Sequence, residues 1–287
     1  AGLKDSTGTD IDGKYTKETN PKIEFSGVTD KHIGQACIKY AIAAKGTTPA
    51  SSQYKAPKGL TINASAPYSG SFSLTDEEKK LKTGKYTIHV RAVDNAGNTA
   101  TKTLSYMKDT DDPTGSISFT EKATGNAIET LKGTVNVQTV VDGTGSDVAK
   151  SSLKVSRLKE NGSGGYDIEE GTEKTIFTDI TESKNTDVNT AALCKENGRY
   201  RFVLHIEDGV GNTCDVSRDI NVLNTFPAPE IRVKQTNNNT AKLTWAFAQG
   251  VEFSHIEYRF DEEERIHRIN PQEGESLSLA GERDITL

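Results

Sequence analysis

The chain has 287 residues, a formal net charge of −6 at pH 7 and a hydrophobic content of only 33%. Binding to nucleic acid needs a basic surface, so an acidic balance of this size argues against nucleic acid as a partner. The low hydrophobic content predicts a thin core, as in β-sandwiches, where only alternate residues of each strand face inward.

In chain order, alternating apolar and polar residues first predict strands at 21–28 and 36–43. Residues 1–20 are left unassigned. A single helical turn is predicted within 74–81, because Thr75 is a suitable N-cap and is followed by Asp-Glu-Glu, which the positive end of a helix dipole favours.

The most informative feature of the chain is a segment that occurs twice. Residues 84–99 align without a gap with residues 198–213, and both segments contain Gly-x-Tyr and, further on, Asp-x-x-Gly-Asn-Thr. The offset from position 84 to position 198 is 114 residues. A period of this length is too long for a solenoid unit and is about the size of one β-sandwich domain. Both copies alternate like a half-buried strand, and His89 and His205 are predicted to face outward. The residues predicted to face inward are Tyr86, Ile88, Val90, Ala92, Tyr200, Phe202, Leu204 and Ile206.

A turn follows the strand in each copy. It reads Asp-Asn-Ala-Gly-Asn at 94–98 and Asp-Gly-Val-Gly-Asn at 208–212. Glycine supplies a positive φ in such turns, and the Asp side chain accepts hydrogen bonds from nearby backbone amides. Further strands at 99–106 and 213–223 would close a hairpin in each repeat.

The remaining strands are predicted by the same alternation. They lie at 114–120, 133–141, 152–158, 230–234, 242–248 and 255–260. Junctions at 109–113 and 224–227 are predicted linkers, because each carries a proline, which removes a ladder donor and stiffens the chain. Short linkers of this kind predict an extended array of sandwiches.

The predicted domains are residues 1–110, 111–225 and 226–287. The third lacks the repeated hairpin, so we expect it to be incomplete at its C-terminus. A longer parent chain would supply the missing strands, or a partner would add them by β-augmentation.

The three cysteines, Cys37, Cys194 and Cys214, do not form a disulfide framework. The strand between Cys194 and Cys214 separates them by roughly 20 Å or more, at about 3.3 Å per residue, which is beyond bridging distance. We therefore expect three free thiols. The chain contains no apolar run long enough to span a bilayer, so this segment is predicted not to insert directly into a membrane.

At the repeated Gly-x-Tyr strand and Asp-x-x-Gly-Asn turn, the chain resembles the bacterial immunoglobulin-like and fibronectin type III-like repeats of large secreted and cell-wall proteins. Tyr86 and Tyr200 match the position of the tyrosine corner, and Trp245, after a proline-rich start, is similar to the fibronectin type III pattern. The resemblance covers residues 21–287. It implies an all-β fold of tandem Ig-like or fibronectin type III-like β-sandwich domains in an extended array.

The resemblance also implies a role. Such repeats serve as non-catalytic extracellular stalks or adhesive scaffolds that space or present other domains of a bacterial protein, secreted or at the cell surface. A host or cell-surface protein or a glycan would be the partner, and the chain would be a monomer. Two alternatives stay open: an accessory region of a large secreted carbohydrate-active enzyme or toxin, and a binding module in its own right. The fold does not choose among them, because sandwiches host many functions.

Candidate chemistry is sparse. The sequence contains neither Gly-x-Ser-x-Gly nor His-Glu-x-x-His, and none of its five histidines neighbours a nucleophile in a recognisable arrangement, so no enzymatic activity is predicted. Calcium is the one cofactor considered. Asp109, Asp111 and Asp112 cluster at the first linker, where hard oxygen ligands would clamp two domains. Acidic loops at 5–12 and 142–147 are further candidates, and plain solvated turns are the alternative for all three.

Four tyrosines in irregular stretches are candidates for a platform that stacks on sugars. They are Tyr15, Tyr54, Tyr68 and Tyr166. The alternative is that these rings cover the edges of a thin core.

Overall fold

The computed structural model of the chain describes residues 1–29, 37–65, 67–224, 229–247, 255–259, 265–270 and 280–286. Within these ranges every element is a strand, apart from two four-residue helices and a short 3-10 turn at Ser51–Gln53. The all-β prediction is confirmed. Among the same residues no helix is long and apolar enough to cross a membrane.

The first part of the chain folds into two stacked sheets, here called the first sandwich. Its elements are β1 (Gly2–Lys4), β2 (Tyr15–Thr16), β3 (Lys22–Val28), β4 (Ile38–Ala44), β5 (Thr61–Ile62), β6 (Tyr68–Ser73), α1 (Asp76–Lys79), β7 (Gly84–Val93) and β8 (Thr99–Lys108). The strand orders are β1-β3-β6-β5 and β2-β8-β7-β4. Both sheets contribute to one core, with Ile23 and Phe72 from one and Tyr40, Ile88 and Leu104 from the other.

The next part repeats this arrangement as the second sandwich. Its elements are β9 (Thr114–Glu121), β10 (Thr130–Leu131), β11 (Thr134–Asp142), β12 (Val148–Glu160), β13 (Tyr166–Ile168), β14 (Lys174–Ile180), β15 (Lys184–Asn189), α2 (Thr190–Leu193), β16 (Gly198–Asp208) and β17 (Thr213–Val222). One sheet has the order β15-β11-β9, and the other has the order β10-β17-β16-β12-β13 with β14 also paired to β12. Phe119 and Val137 from one sheet share a core with Leu153, Phe202 and Leu204 from the other.

The offset of 114 residues relates most elements of the two sandwiches. Added to the bounds of α1 and β8, it gives the bounds of α2 and β17. Pairing agrees too, since the short β2 lies parallel to β8 just as β10 lies parallel to β17. One exception is β5, which pairs with β6, whereas β14 pairs with β12 in the opposite sheet. Another is β13, since the equivalent positions of the first sandwich, 52–54, fall at the short 3-10 turn. The repeat therefore extends well beyond the segment in which the sequence shows it.

Alternation along β16 is confirmed. Tyr200, Phe202, Leu204 and Ile206 are buried, while the residues between them are partly exposed. His205 lies on the outer face as predicted, with its Nδ1 atom 2.6 Å from Asp215 Oδ1.

His89 lies on the outer face of its strand, as predicted, but it is covered there. Ile88 and Val90 are buried as expected, but His89 is buried as well, with only 9% of its surface exposed. The reason is Tyr54, which packs over this face of β7 and meets the imidazole edge-on with ring centroids 6.4 Å apart.

The predicted helical turn is confirmed as α1. Thr75 is its N-cap, and the N–H of Thr75 donates to Glu78 Oε2 over 2.7 Å in a capping box. Glu78 is buried and also accepts a 2.7 Å hydrogen bond from the Tyr40 hydroxyl. The corresponding helix α2, which the sequence pattern did not predict, is capped by Asn189.

The third group of strands is smaller. It consists of β18 (Glu230–Asn237), β19 (Thr240–Ala246), β20 (Ile256–Tyr258), β21 (His267–Ile269) and β22 (Ala280–Thr286), in sheets of order β18-β19-β22 and β20-β21. Leu243, Trp245 and Ile256 belong to its core. Three residues of the predicted strands, Ala36, Ala248 and Phe260, lie outside the described residues. The boundaries of the three domains stay a prediction.

Cys37, Cys194 and Cys214 are free thiols, as predicted. Burial raises the pKa of Cys194 to about 11. This thiol is therefore protonated at neutral pH and serves as a small core residue.

Candidate functional site

The first predicted linker, residues 109–113, is held by direct hydrogen bonds between the two sandwiches. Asp109 follows β8 directly and is fully buried. Its N–H donates to the Thr16 carbonyl over 2.9 Å, within the first sandwich. Its carboxylate Oδ2 accepts a hydrogen bond of 2.6 Å from the N–H of Ser146, in the loop between β11 and β12. A charged acceptor from one sandwich is thus satisfied by a backbone donor from the other, which makes a strong bond.

The loop that receives Asp109 depends on glycine. A Cβ atom added to Gly145 would lie 2.6 Å from the Asp109 carboxylate, closer than real Cβ contacts allow. The neighbouring Thr144 has φ +67°, which is uncommon for a β-branched residue. Its hydroxyl donates to the Asp112 carbonyl over 2.8 Å. The loop therefore contacts the linker at two points.

The repeated turn of the second sandwich makes the other contacts. Asn212 Nδ2 donates to the Asp111 carbonyl over 2.9 Å, and Lys17 Nζ donates to the Gly211 carbonyl over 2.6 Å. The buried carboxylate of Asp208 holds the turn in shape by accepting from the N–H of Asn212 over 2.8 Å. Turn chemistry inside one sandwich thus positions a donor for the linker that enters it.

The first sandwich carries the same turn with the same internal bonds. Asp94 accepts from the N–H and from the side-chain amide of Asn98 over 2.7 and 2.8 Å. These bonds, above all the one from the Asn98 side chain, hold the pKa of Asp94 below its ordinary value. Gly97 takes a positive φ of +88°, and Gly211 takes +80°. The predicted turn chemistry is present in both copies.

The two tyrosines that the resemblance singled out also behave alike. The Tyr86 hydroxyl donates to the Lys82 carbonyl over 3.0 Å, and the Tyr200 hydroxyl donates to the Glu196 carbonyl over 2.9 Å. Each phenol therefore bonds back to the backbone four residues upstream, which is the contact of a tyrosine corner.

The predicted calcium ligands are placed differently from one another. Asp109 is buried against Ser146, whereas Asp111 and Asp112 are exposed and contact the second sandwich through their backbone carbonyls. Among the described residues, no group of three or more His, Cys, Asp or Glu side chains is arranged to hold a metal ion. Calcium at this junction stays a prediction.

The acidic loop at 142–147, a further calcium candidate in the sequence, is the loop that receives Asp109. Its Asp142 accepts from the N–H of Thr144 over 2.7 Å and so shapes the loop. Sequence reasoning missed the partners Ser146, Gly145 and Lys17. The signal for the first two was the pair of glycines in a short acidic loop, and nothing marked Lys17.

The described histidines all make contacts of a structural kind, although the buried Nε2 atom of His89 has no hydrogen-bond partner among the described residues. His89 meets Tyr54, and His205 meets Asp215. His255 Nε2 lies 3.2 Å from Glu257 Oε1, and His267 stacks on Tyr258 with ring centroids 5.0 Å apart. His32 lies outside the described residues. That the chain is not an enzyme stays a prediction.

Three of the four candidate sugar-stacking tyrosines carry a cation over the ring. Arg91 lies 3.5 Å from the Tyr54 ring centroid, Lys85 lies 5.4 Å from that of Tyr15, and Arg199 lies 4.7 Å from that of Tyr166. Tyr54 is also buried. These contacts favour the interpretation that the rings cover the edges of the core.

No family model matches the chain, and no curated protein matches it. Among solved structures, it is similar to the C-terminal domain of the Streptococcus agalactiae AgI/II polypeptide BspA, with 12% identity over 77% of this chain and 98% of that chain and a TM-score of 0.33. It is similar as well to a tetra-tandem repeat in the extending region of a large adhesion protein, with 13% identity over 99% of this chain and 81% of that chain and a TM-score of 0.29. The chain is also similar to a Ca²⁺-stabilized adhesin that helps an Antarctic bacterium bind ice, with 15% identity over 93% of this chain and 60% of that chain and a TM-score of 0.30. At TM-scores this low, the fold assignment rests on the sheets of the chain itself.

Proposed function

We propose that this chain is a non-catalytic, semi-rigid stalk or adhesive scaffold of a bacterial protein that is secreted or held at the cell surface. In this proposal the domains 1–110, 111–225 and 226–287 follow one another in an array and space or present other domains. The observation that carries the proposal is the junction at Asp109, where the first linker is bonded directly to the second sandwich.

Stiffness follows from the number and kind of contacts. Hydrogen bonds from Ser146, Thr144, Asn212 and Lys17 join the first sandwich or the linker to the second sandwich. Pro113 is buried directly after them, and its ring fixes φ. A flexible linker would leave these polar groups to water and would let the sandwiches turn independently. A linker satisfied in this way supports a joint of fixed direction.

Small-angle X-ray scattering tests the proposal. A compact globule of 287 residues has a radius of gyration of about 19 Å. The array proposed here has a clearly larger value and the pair-distance distribution of an elongated particle. A measured radius close to the globular value would contradict a stalk.

The adhesive part of the proposal concerns a host or cell-surface protein or a glycan. A glycan array and a cell-binding assay with the labelled chain test it directly. A chain that is elongated but binds nothing in either assay would be a spacer, and the adhesive half of the proposal would then be wrong.

A further inference from the structure

One end of the first sandwich carries a groove of about 460 Å³, a volume within the range of ligand clefts. Its floor is apolar and is formed by Phe25, Ile38, Val90 and Ala92. Asn98 lines it from the repeated turn, and Lys102 lines it from β8. The groove lies beside Ala1, next to the first residue of β1.

The matching region of the second sandwich is filled by the chain itself. By the offset of 114 residues, Val90 and Ala92 of the first sandwich are equivalent to Leu204 and Ile206 of the second. There the backbone of Gly115 comes so close that an added Cβ would lie 2.5 Å from the Ile206 side chain and 3.3 Å from that of Leu204. Pro113, just before it, is buried. Linker and first strand thus cover the apolar floor as they enter the second sandwich.

The polar contacts of the two ends differ in the same way. Asn212 Nδ2 donates both to Asp208 within its turn and to the Asp111 carbonyl of the linker. Its counterpart Asn98 makes the internal bond to Asp94. Among the described residues no second acceptor lies at the Asn98 amide, so one of its two N–H groups is available to a segment in the groove.

We propose that this groove binds an extended acidic linker strand with the chemistry of residues 109–115, Asp-Thr-Asp-Asp-Pro-Thr-Gly, which enters β1 from its N-terminal side. The inference rests on the proposed array, since it assigns the groove to the joint with a like module. The occupant's carbonyl accepts from Asn98, its proline and small residues cover Val90 and Ala92, and its carboxylates lie near Lys102. These are the contacts that the second sandwich makes with its own linker, apart from that to Lys102.

One difference limits how the occupant pairs. Gly27 has φ +72° and interrupts the register between β3 and β6, whereas β11 pairs regularly with β9 up to Asp142. The occupant is therefore expected to contact the turn and the apolar floor, not to form a full ladder along β3.

The experiment compares two versions of the full chain. One carries Asp-Thr-Asp-Asp-Pro-Thr-Gly-Ser, the sequence of residues 109–116, immediately before Ala1, because Gly2 pairs with Glu24 as Ser118 pairs with Gln138. The other carries Gly-Ser-Gly-Ser-Gly-Ser-Gly-Ser at the same place. Hydrogen–deuterium exchange is measured at the amides of residues 98–102. One added hydrogen bond slows local opening about fivefold, so the acidic extension should protect these amides by at least that factor relative to the control. Asn98→Ala, made in both versions, should abolish the difference.

Equal exchange in the two extended chains would overturn the inference, as would protection that survives Asn98→Ala. The result is separate from the scattering test of the stalk, which uses the chain without an extension. If the chain is elongated but the amides of residues 98–102 are not protected, only this inference is wrong. If the chain is compact, the proposed function is wrong.

Discussion

Replacing Asp109 by alanine removes the contact on which the stiff junction depends. The carboxylate is fully buried and accepts a 2.6 Å hydrogen bond from the N–H of Ser146, which is itself 5% exposed. Losing a hydrogen bond to a charged group costs about 1.5–3 kcal/mol, and the buried amide is left without an acceptor. We expect Asp109→Ala to destabilise the second sandwich by about 2–3 kcal/mol, which lowers the Tm of a unit of this size by roughly 10 °C.

The matched control is Asp111→Ala. Asp111 is exposed and takes part in the joint through its backbone carbonyl, which alanine retains. We expect this variant to stay within about 0.5 kcal/mol of the parent chain. Differential scanning calorimetry measures both losses. Hydrogen exchange at Ser146 shows whether the junction opens, and scattering shows whether the chain becomes less extended.

Equal losses of stability in the two variants would contradict a stabilising hydrogen bond between Asp109 and Ser146. Calcium ligation by Asp109, Asp111 and Asp112 makes a different prediction. In that case both variants would lose stability in calcium, and EDTA would remove the difference between each of them and the parent chain. A cost for Asp109→Ala alone, unchanged by EDTA, is the result that the hydrogen bonds described here require.

Three further predictions concern the loop, the core polar network and the repeated strand. Gly145→Ala should cost about 1–3 kcal/mol in chemical denaturation, because the added methyl meets a carboxylate at 2.6 Å, whereas Gly2→Ala, with nothing within 4 Å, should be neutral. Burial alone would raise the pKa of Glu78, but hydrogen bonds from Lys55, Tyr40 and Thr75 hold it below the ordinary 4.5. The stability from Glu78 is therefore present above pH 4.5 and is lost as pH falls through the lowered pKa, and Glu78→Gln should flatten that part of a Tm-against-pH curve. Tyr200→Ala should cost on the order of 3 kcal/mol by emptying core volume, and His205→Ala should be close to neutral in the same urea titration; comparable losses would contradict the inward and outward assignment.

Local patterns in the sequence were enough to predict the repeated strand, the turn that follows it and the first helix. Alternation along 198–208 reports burial because successive side chains of a strand point to opposite faces. The turn at 94–98 needs a glycine with positive φ and an Asp that bonds amides up to four residues away, and both are visible in five letters of sequence. The N-cap at Thr75 is equally local. Each feature depends on neighbours within about one turn of chain.

Only the tertiary structure decided that His89 is buried and which group the Asp109 carboxylate contacts. His89 follows the outward positions of its strand, and it is buried because Tyr54, from a distant segment, packs across that face. Asp109 belongs to a cluster that suggested a metal site, and its carboxylate instead accepts from Ser146, 37 residues further along the chain. The sequence by itself determined where the chain runs as strand and where it turns, because those choices depend on adjacent residues. Which buried groups meet depended on how the sheets stack. Residues such as Asp109 and Ser146 lie far apart in the sequence, and the alternation along one strand carries no information about a partner from another segment.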